Sequence, residues 1–134
     1  DVADFITGAT AAFEMVVDSF AVGETETLRN LLSDEVYENF AEAIRDRQAQ
    51  ERTHETTVVG IDVVEIIEAE MQDHDALVTV KYVSEQVNVT RDADGDVAEG
   101  HPSAVVRITD IWTFARNVSS SDPNWTLVAT RSPN

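Results

Sequence analysis

"VVGIDVVEIIEAEMQDHDALVTVKYVSEQVNVT", residues 58–90, decides the fold. Apolar residues recur there with a period of two, the spacing of a strand with one buried face, and the polar "QDHD" divides the stretch. Two long runs joined by a short polar link predict an antiparallel hairpin. In the first run, which begins at residue 55, Thr57, Val59, Ile61, Val63, Ile67, Ala69 and Met71 fall on one face, interrupted by Glu65. In the second, Ala76, Val78, Val80 and Tyr82 share a face, but Val83, Val87 and Val89 have the opposite parity. A parity switch inside one strand is what a β-bulge produces, and we place it near Ser84.

On the C-terminal side, "RDADGDVAEGHPS" reads as a polar connection with an Asp-Gly turn signal. "AVVRITDIWTFARN" is a third strand, "SSSDPN" a turn, and "WTLVAT" a fourth strand with Trp125, Leu127 and Ala129 inside. In the third strand Asp110, Trp112, Phe114 and Arg116 share a face. On the N-terminal side the period is helical. Phe5, Ile6, Ala9, Ala12, Phe13, Val16, Val17 and Phe20 form one broad stripe over residues 3–21, and Gly23 stops it. "ETLRNLLS" suits a short second helix. Ser33 is placed as the N-cap of a third, with Val36, Tyr37, Phe40 and Ile44 on its buried side. Helices followed by antiparallel strands give an α+β layer fold: N-terminal helices packed on a curved four-stranded antiparallel sheet. It resembles a cystatin-like or nuclear-transport-factor-two-like cone, whose concave interior is either packed or left open as a pocket.

At 134 residues the chain suits one domain, spanning 1–134. The formal charge of −17 is spread along it, with 12 acids against 4 bases in residues 1–52 and 14 against 5 in residues 53–134. Such a field repels a phosphate backbone and argues against nucleic acid as a partner. It also opposes electrostatic docking on anionic membranes. No cysteine is present, which excludes thiolate metal sites and cysteine nucleophiles. No continuous apolar window of membrane-spanning length is seen. The chain begins "DVADF" without an initiator Met, which reads as a piece trimmed from a longer protein.

Candidate chemistry is sparse. Asp110, on a core-facing row among aromatics, could act as a proton shuttle if burial raises its pKa. Its structural role would be an ion pair with Arg107 or Arg116, or a backbone cap. His54, His74 and His101 fall in loops or strand ends, so no partner for a dyad is assigned. Asp92, Asp94, Asp96 and Glu99 superficially match calcium-loop spacing, but Gly95 comes too early and residue 103 is not an acid. A solvated hairpin tip is expected, and no metal and no cofactor are assigned.

Three blocks carry a family resemblance. "AFEMVVDSFAVGETETLRNLLSDEVYENFAEAIRDR", the hairpin continued to "TRDADGDV", and "DIWTFARNVSSSDPNWTLVAT" resemble, in that order, the C-terminal domain of the mitochondrial inner-membrane translocase subunit forty-four family. The match is closest to alphaproteobacterial members of that family and runs from about Ala9 to Thr130. The resemblance implies an α+β domain with a large hydrophobic groove and no enzymatic activity. It implies a scaffold at the bacterial inner membrane, peripheral or anchored through an N-terminal segment outside this chain. The implied partners are a membrane-embedded or membrane-bound protein and a lipid. The residues expected to form the pocket or partner-binding surface are Phe5, Ile6, Phe13, Phe20, Tyr82, Trp112 and Phe114. The alternative is a small-molecule enzyme of the nuclear-transport-factor-two-like class with Asp110 as the proton-transfer residue.

Overall fold

A computed structural model describes residues 1–133. Three helices, α1 (Val2–Val22), α2 (Thr25–Leu31) and α3 (Asp34–Ala49), precede five strands. These are β1 (Thr53–Gln72), β2 (Asp75–Arg91), β3 (Val97–Gly100), β4 (Val106–Asn117) and β5 (Thr126–Arg131). The helix boundaries follow local chemistry. The Asp1 carboxylate accepts from Ala3 N at 2.8 Å, and α1 ends on Gly23 in the left-handed region at φ 80°. Ser33 Oγ accepts from Val36 N at 3.3 Å to start α3. Between α2 and α3, Leu32 bridges Leu127, and Ser33 N donates to Leu127 O at 2.9 Å. That contact ties the helical half of the chain to β5.

The strands form one antiparallel sheet in the order β1-β2-β4-β5, with β3 beside β2. The sheet therefore has five strands and not the four read from the sequence. β3 lies inside the segment read as a polar connection, and all four of its residues are exposed, so no buried face marked it. It pairs with Val89–Arg91 of β2, taking over that edge beyond the end of β4. Gly100, at φ 79°, makes this approach possible, because a Cβ there would overlap the Asn88 carbonyl oxygen.

The bulge expected at Ser84 is absent from β2, which runs against β4 in unbroken register from Asp75↔Asn117 to Gln86↔Val106. In the β1–β2 pair the irregularities lie in β1, at Val58/Gly60, Ile61/Val63 and Ile66/Glu68. Each leaves one extra β1 residue: Val59, Asp62 and Ile67. These bulges switch the parity of β1, so Val59, Ile67 and Met71 of the expected inner face are exposed. Ile61 and Val64 pack against the core instead. On β2 the buried face continues past Tyr82 through Ser84, Gln86 and Thr90. These polar side chains are buried because they bond to neighbours: Gln86 Nε2 donates to Ser84 Oγ, Asn88 Nδ2 to Gln86 Oε1, and Thr56 Oγ1 to Asn88 Oδ1.

The long helix α1 crosses the sheet. Phe13 stacks on Tyr82 with centroids 4.4 Å apart and lies 4.9 Å from Trp112. The Tyr82 hydroxyl donates to Ala9 O at 2.8 Å. α1 is long and apolar enough by length and composition to cross a membrane. In this fold its Ala9, Phe13, Val16, Ser19 and Ala21 side is buried.

Candidate functional site

Beneath the middle of α1 the concave interior is filled. Phe13, Val80 and Tyr82 are inaccessible, and Trp112 and Phe114 are buried. These five residues and Leu127 form the centre of the apolar core. The row Trp112–Phe114 that begins at Asp110 is therefore packing over most of its length, and each large aromatic contributes about 150–250 Å² of buried surface.

Space opens at one end. Between the N-terminal half of α1, the end of α2 and the β4–β5 turn lies a cleft of about 730 Å³. Its deeper lining is apolar: Phe5, Ala12, Leu31, Phe114 and Trp125. Phe5 meets Trp125 edge-on at 5.1 Å and Phe114 edge-on at 6.2 Å, so three rings fix one another as a wall. Along α1 the lining is small, with Gly8, Ala11 and Ala12, before the exposed Met15. The rim is polar and mostly acidic: Asp1, Asp4 and Asp122, with Asn30 and Asn124. Asp122 also shapes the turn, its Oδ1 accepting from Asn124 N at 2.9 Å. Arg116 is the one base in the lining, and its Nε is enclosed without a hydrogen-bond partner.

Of the residues named from the sequence, Phe5 and Phe114 line the cleft, and Phe13, Tyr82 and Trp112 lie beneath α1. Phe20 sits elsewhere, against the Phe40 ring at 5.1 Å and under the Arg47 guanidinium, which also donates to Phe20 O. Ile6 is half-buried and does not line the cleft. Sequence reasoning missed Leu31, Met15 and the Asp122–Trp125 turn. A usable signal was the run Gly8, Ala11, Ala12 beside the large apolar stripe of α1, which marks where that helix leaves room.

Asp110 lies opposite Tyr82 across β2 and β4, and its Oδ1 accepts from Ser132 Oγ at 2.6 Å. Burial raises its pKa, and the Ser132 hydrogen bond works against that rise. The histidines are engaged elsewhere. His54 Nδ1 bonds Thr90 Oγ1 at 3.0 Å, His101 Nδ1 bonds Ser103, and His74 sits in the β1–β2 turn. Burial lowers the pKa of His54, and the charge of Arg47 adds to that effect. Asp92, Asp94 and Asp96 converge at the β2–β3 turn, where Asp92 Oδ1 accepts from both Asp94 N and Asp96 N. That carboxylate is organising the turn.

The fold and the cleft define a class: a cone-like α+β domain in which one long helix closes a filled core and leaves an apolar cleft beside it. The particular family follows from comparison, because the Tim44-like domain model matches residues 1–132, and the chain belongs to that family. It is 25% identical over 109 residues to the probable mitochondrial import inner membrane translocase subunit tin-44 of Caenorhabditis elegans, covering 81% of this chain and 26% of that protein. It is 23% identical over 108 residues to the human mitochondrial import inner membrane translocase subunit TIM44, covering 81% and 24%. The chain thus spans about a quarter of the length of these relatives. The intermembrane space region of the chloroplast protein ARC6 shares the fold, with a TM-score of 0.65 at 14% identity and 94% of both chains covered.

Proposed function

We propose that this chain is a non-enzymatic, membrane-associated interaction domain whose cleft takes an apolar group, either a segment of a protein partner or a lipid tail. The observation that carries this is the cleft of about 730 Å³, lined at depth by Phe5, Leu31, Phe114 and Trp125. An apolar concavity with a few polar groups at its mouth is the usual form of a ligand site. Family membership supports the membrane setting, since its relatives are named as subunits of an inner-membrane translocase. The resemblance of the sequence to bacterial members of the family supports a setting at a bacterial inner membrane, with a membrane-bound protein as partner. Asp110 is a structural carboxylate in this reading, held by Ser132.

The test is a titration with dodecyl maltoside below its micelle concentration, followed by Trp emission. Trp125 lines the cleft and Trp112 is buried, so a Trp125→Phe variant assigns the signal. A saturable change in Trp125 emission is expected, lost in Gly8→Leu, whose side chain enters space empty within 4 Å of the added Cβ. Asp110→Asn should leave the titration unchanged. No response from Trp125, or a response indifferent to Gly8→Leu, overturns the proposal.

A further inference from the structure

We infer that the sheet face turned away from the apolar core joins two copies of this chain, related by a twofold axis that runs along the strands. The sheet residues of the core, Val80, Tyr82, Trp112, Phe114 and Leu127, all lie on the face toward α1. Alternation along β2 and β4 puts Leu77, Thr79, Lys81, Ile111, Thr113 and Ala115 on the outer face. Each of these six is half-buried. Thr79 and Thr113 already bond each other across the strands, Oγ1 to Oγ1, at 3.0 Å. The middle of the outer face is therefore mainly apolar, with those hydroxyls satisfied.

Its two borders differ in sign. Register places Glu65, Lys81, Ile111 and Arg131 in one row across β1, β2, β4 and β5. Glu68 and Glu70 extend the acidic border along β1, beside Thr79 and Leu77. Among the described residues the side chains of Glu65, Lys81 and Arg131 make no ion pair or hydrogen bond. Two copies can meet face to face about either of two axes in the plane of contact. An axis across the strands lays β1 on β1 and sets three glutamates against three. An axis along the strands lays β1 on β5, so Glu65 meets Arg131 of the second copy and Arg131 meets its Glu65. The same operation sets Thr79 over Thr113, and Lys81 over Ile111, where its four-carbon stem covers the apolar side chain. An apolar centre between borders of opposite charge thus complements itself in that orientation alone.

The size fits a reversible contact. Four strands about 4.8 Å apart, over the ten steps of about 3.3 Å from Asp75 to Glu85, make a face of about 600 Å². A pair of copies then buries about 1,200 Å², the low end for a specific interface. At one end of the face Arg107 reaches over β2 to Asp62 at 2.6 Å and bounds it.

Sedimentation velocity in about 0.15 M sodium chloride is the test, because a Debye length of about 8 Å damps the repulsion between two −17 bodies and spares pairs in contact. A monomer–dimer equilibrium in the micromolar range is expected. Glu65→Arg alone and Arg131→Glu alone should each weaken it about tenfold by setting like charges together. An equimolar mixture of the two variants should recover the wild-type affinity, because both border contacts of the mixed dimer are then opposite in sign. That recovery also excludes misfolding as the cause of the weakening. Ala115→Glu, which sets an acid opposite Leu77 of the second copy, should abolish the dimer, its fold being checked by circular dichroism. A chain that stays monomeric up to about 1 mM, a mixture no tighter than its components, or a dimer indifferent to Ala115→Glu overturns the inference. So does a dimer lost in Gly8→Leu but kept in the border variants, which would put the contact at the cleft. The dodecyl maltoside titration does not involve this face, so the reading of the cleft stands or falls separately.

Discussion

Tyr82 connects sheet and helix through one hydroxyl. It is fully buried, stacks on Phe13, and donates to Ala9 O at 2.8 Å. Removing that hydroxyl in Tyr82→Phe loses a buried hydrogen bond, with an expected cost of about 0.5–1.5 kcal/mol by denaturant unfolding. Burial, helped by the nearby charge of Asp110, pushes the Tyr82 pKa upward. A raised pKa contributes stability that is whole below the ordinary tyrosine pKa, near 10, and is lost as pH rises through the folded value. Wild type should therefore lose more stability above about pH 10 than Tyr82→Phe does. Asp110 obeys the same sign at the acid end, because its carboxyl is also shifted up by burial. Its contribution is whole below the ordinary carboxylate range and is lost as pH rises. Asp110→Asn, which keeps an acceptor for Ser132, should raise Tm by a few degrees at neutral pH and by little below about pH 4. A stability difference independent of pH would contradict the assignment.

At the level of elements, the hairpin and helices were legible because periodicity is strong in long segments. The α1 stripe, the Ser33 cap and the Gly23 stop all stand where the spacing put them. The bulges were not legible. β1 keeps apolar residues on both sides, so exposed Val59 and Ile67 imitate an inner face, and nothing local says which residue is the extra one. On β2 the bulge was misread for a different reason: the strand is buried on both faces, with Val83 and Val89 on one and the polar Ser84, Gln86 and Thr90 on the other, where they satisfy one another or a neighbour across the strand. Much of the cleft depends on tertiary contact between α1, Leu31 and the Asp122–Trp125 turn, which no periodicity encodes. Strand β3 offers a test at this scale. Gly100→Ala places a Cβ against Asn88 O at a φ of 79°, so β3 should detach. Hydrogen exchange should show lost protection at residues 97–100 while β2 and β4 keep theirs, and unchanged protection at 97–100 would refute this.

Over the whole molecule the dominant quantity is charge. A formal −17 on 134 residues makes the compact state repel itself, whereas the few surface ion pairs, such as Arg107–Asp62 at 2.6 Å, involve largely solvated groups. Moderate salt should therefore raise Tm by screening repulsion more than it lowers Tm by weakening pairs, measurable from low salt up to about 0.5 M sodium chloride. A Tm that falls across that range would mean the pairs outweigh the repulsion. The outer border of β1 has a consequence of its own. It is twenty residues of strand with no further strand paired on that side among the described residues, a potential template for runaway sheet growth if many molecules crowd on one surface. Val59, Asp62 and Ile67 each break the even spacing of its amides, and Glu65, Glu68 and Glu70 line it with like charge. These features oppose the addition of a further strand along that border.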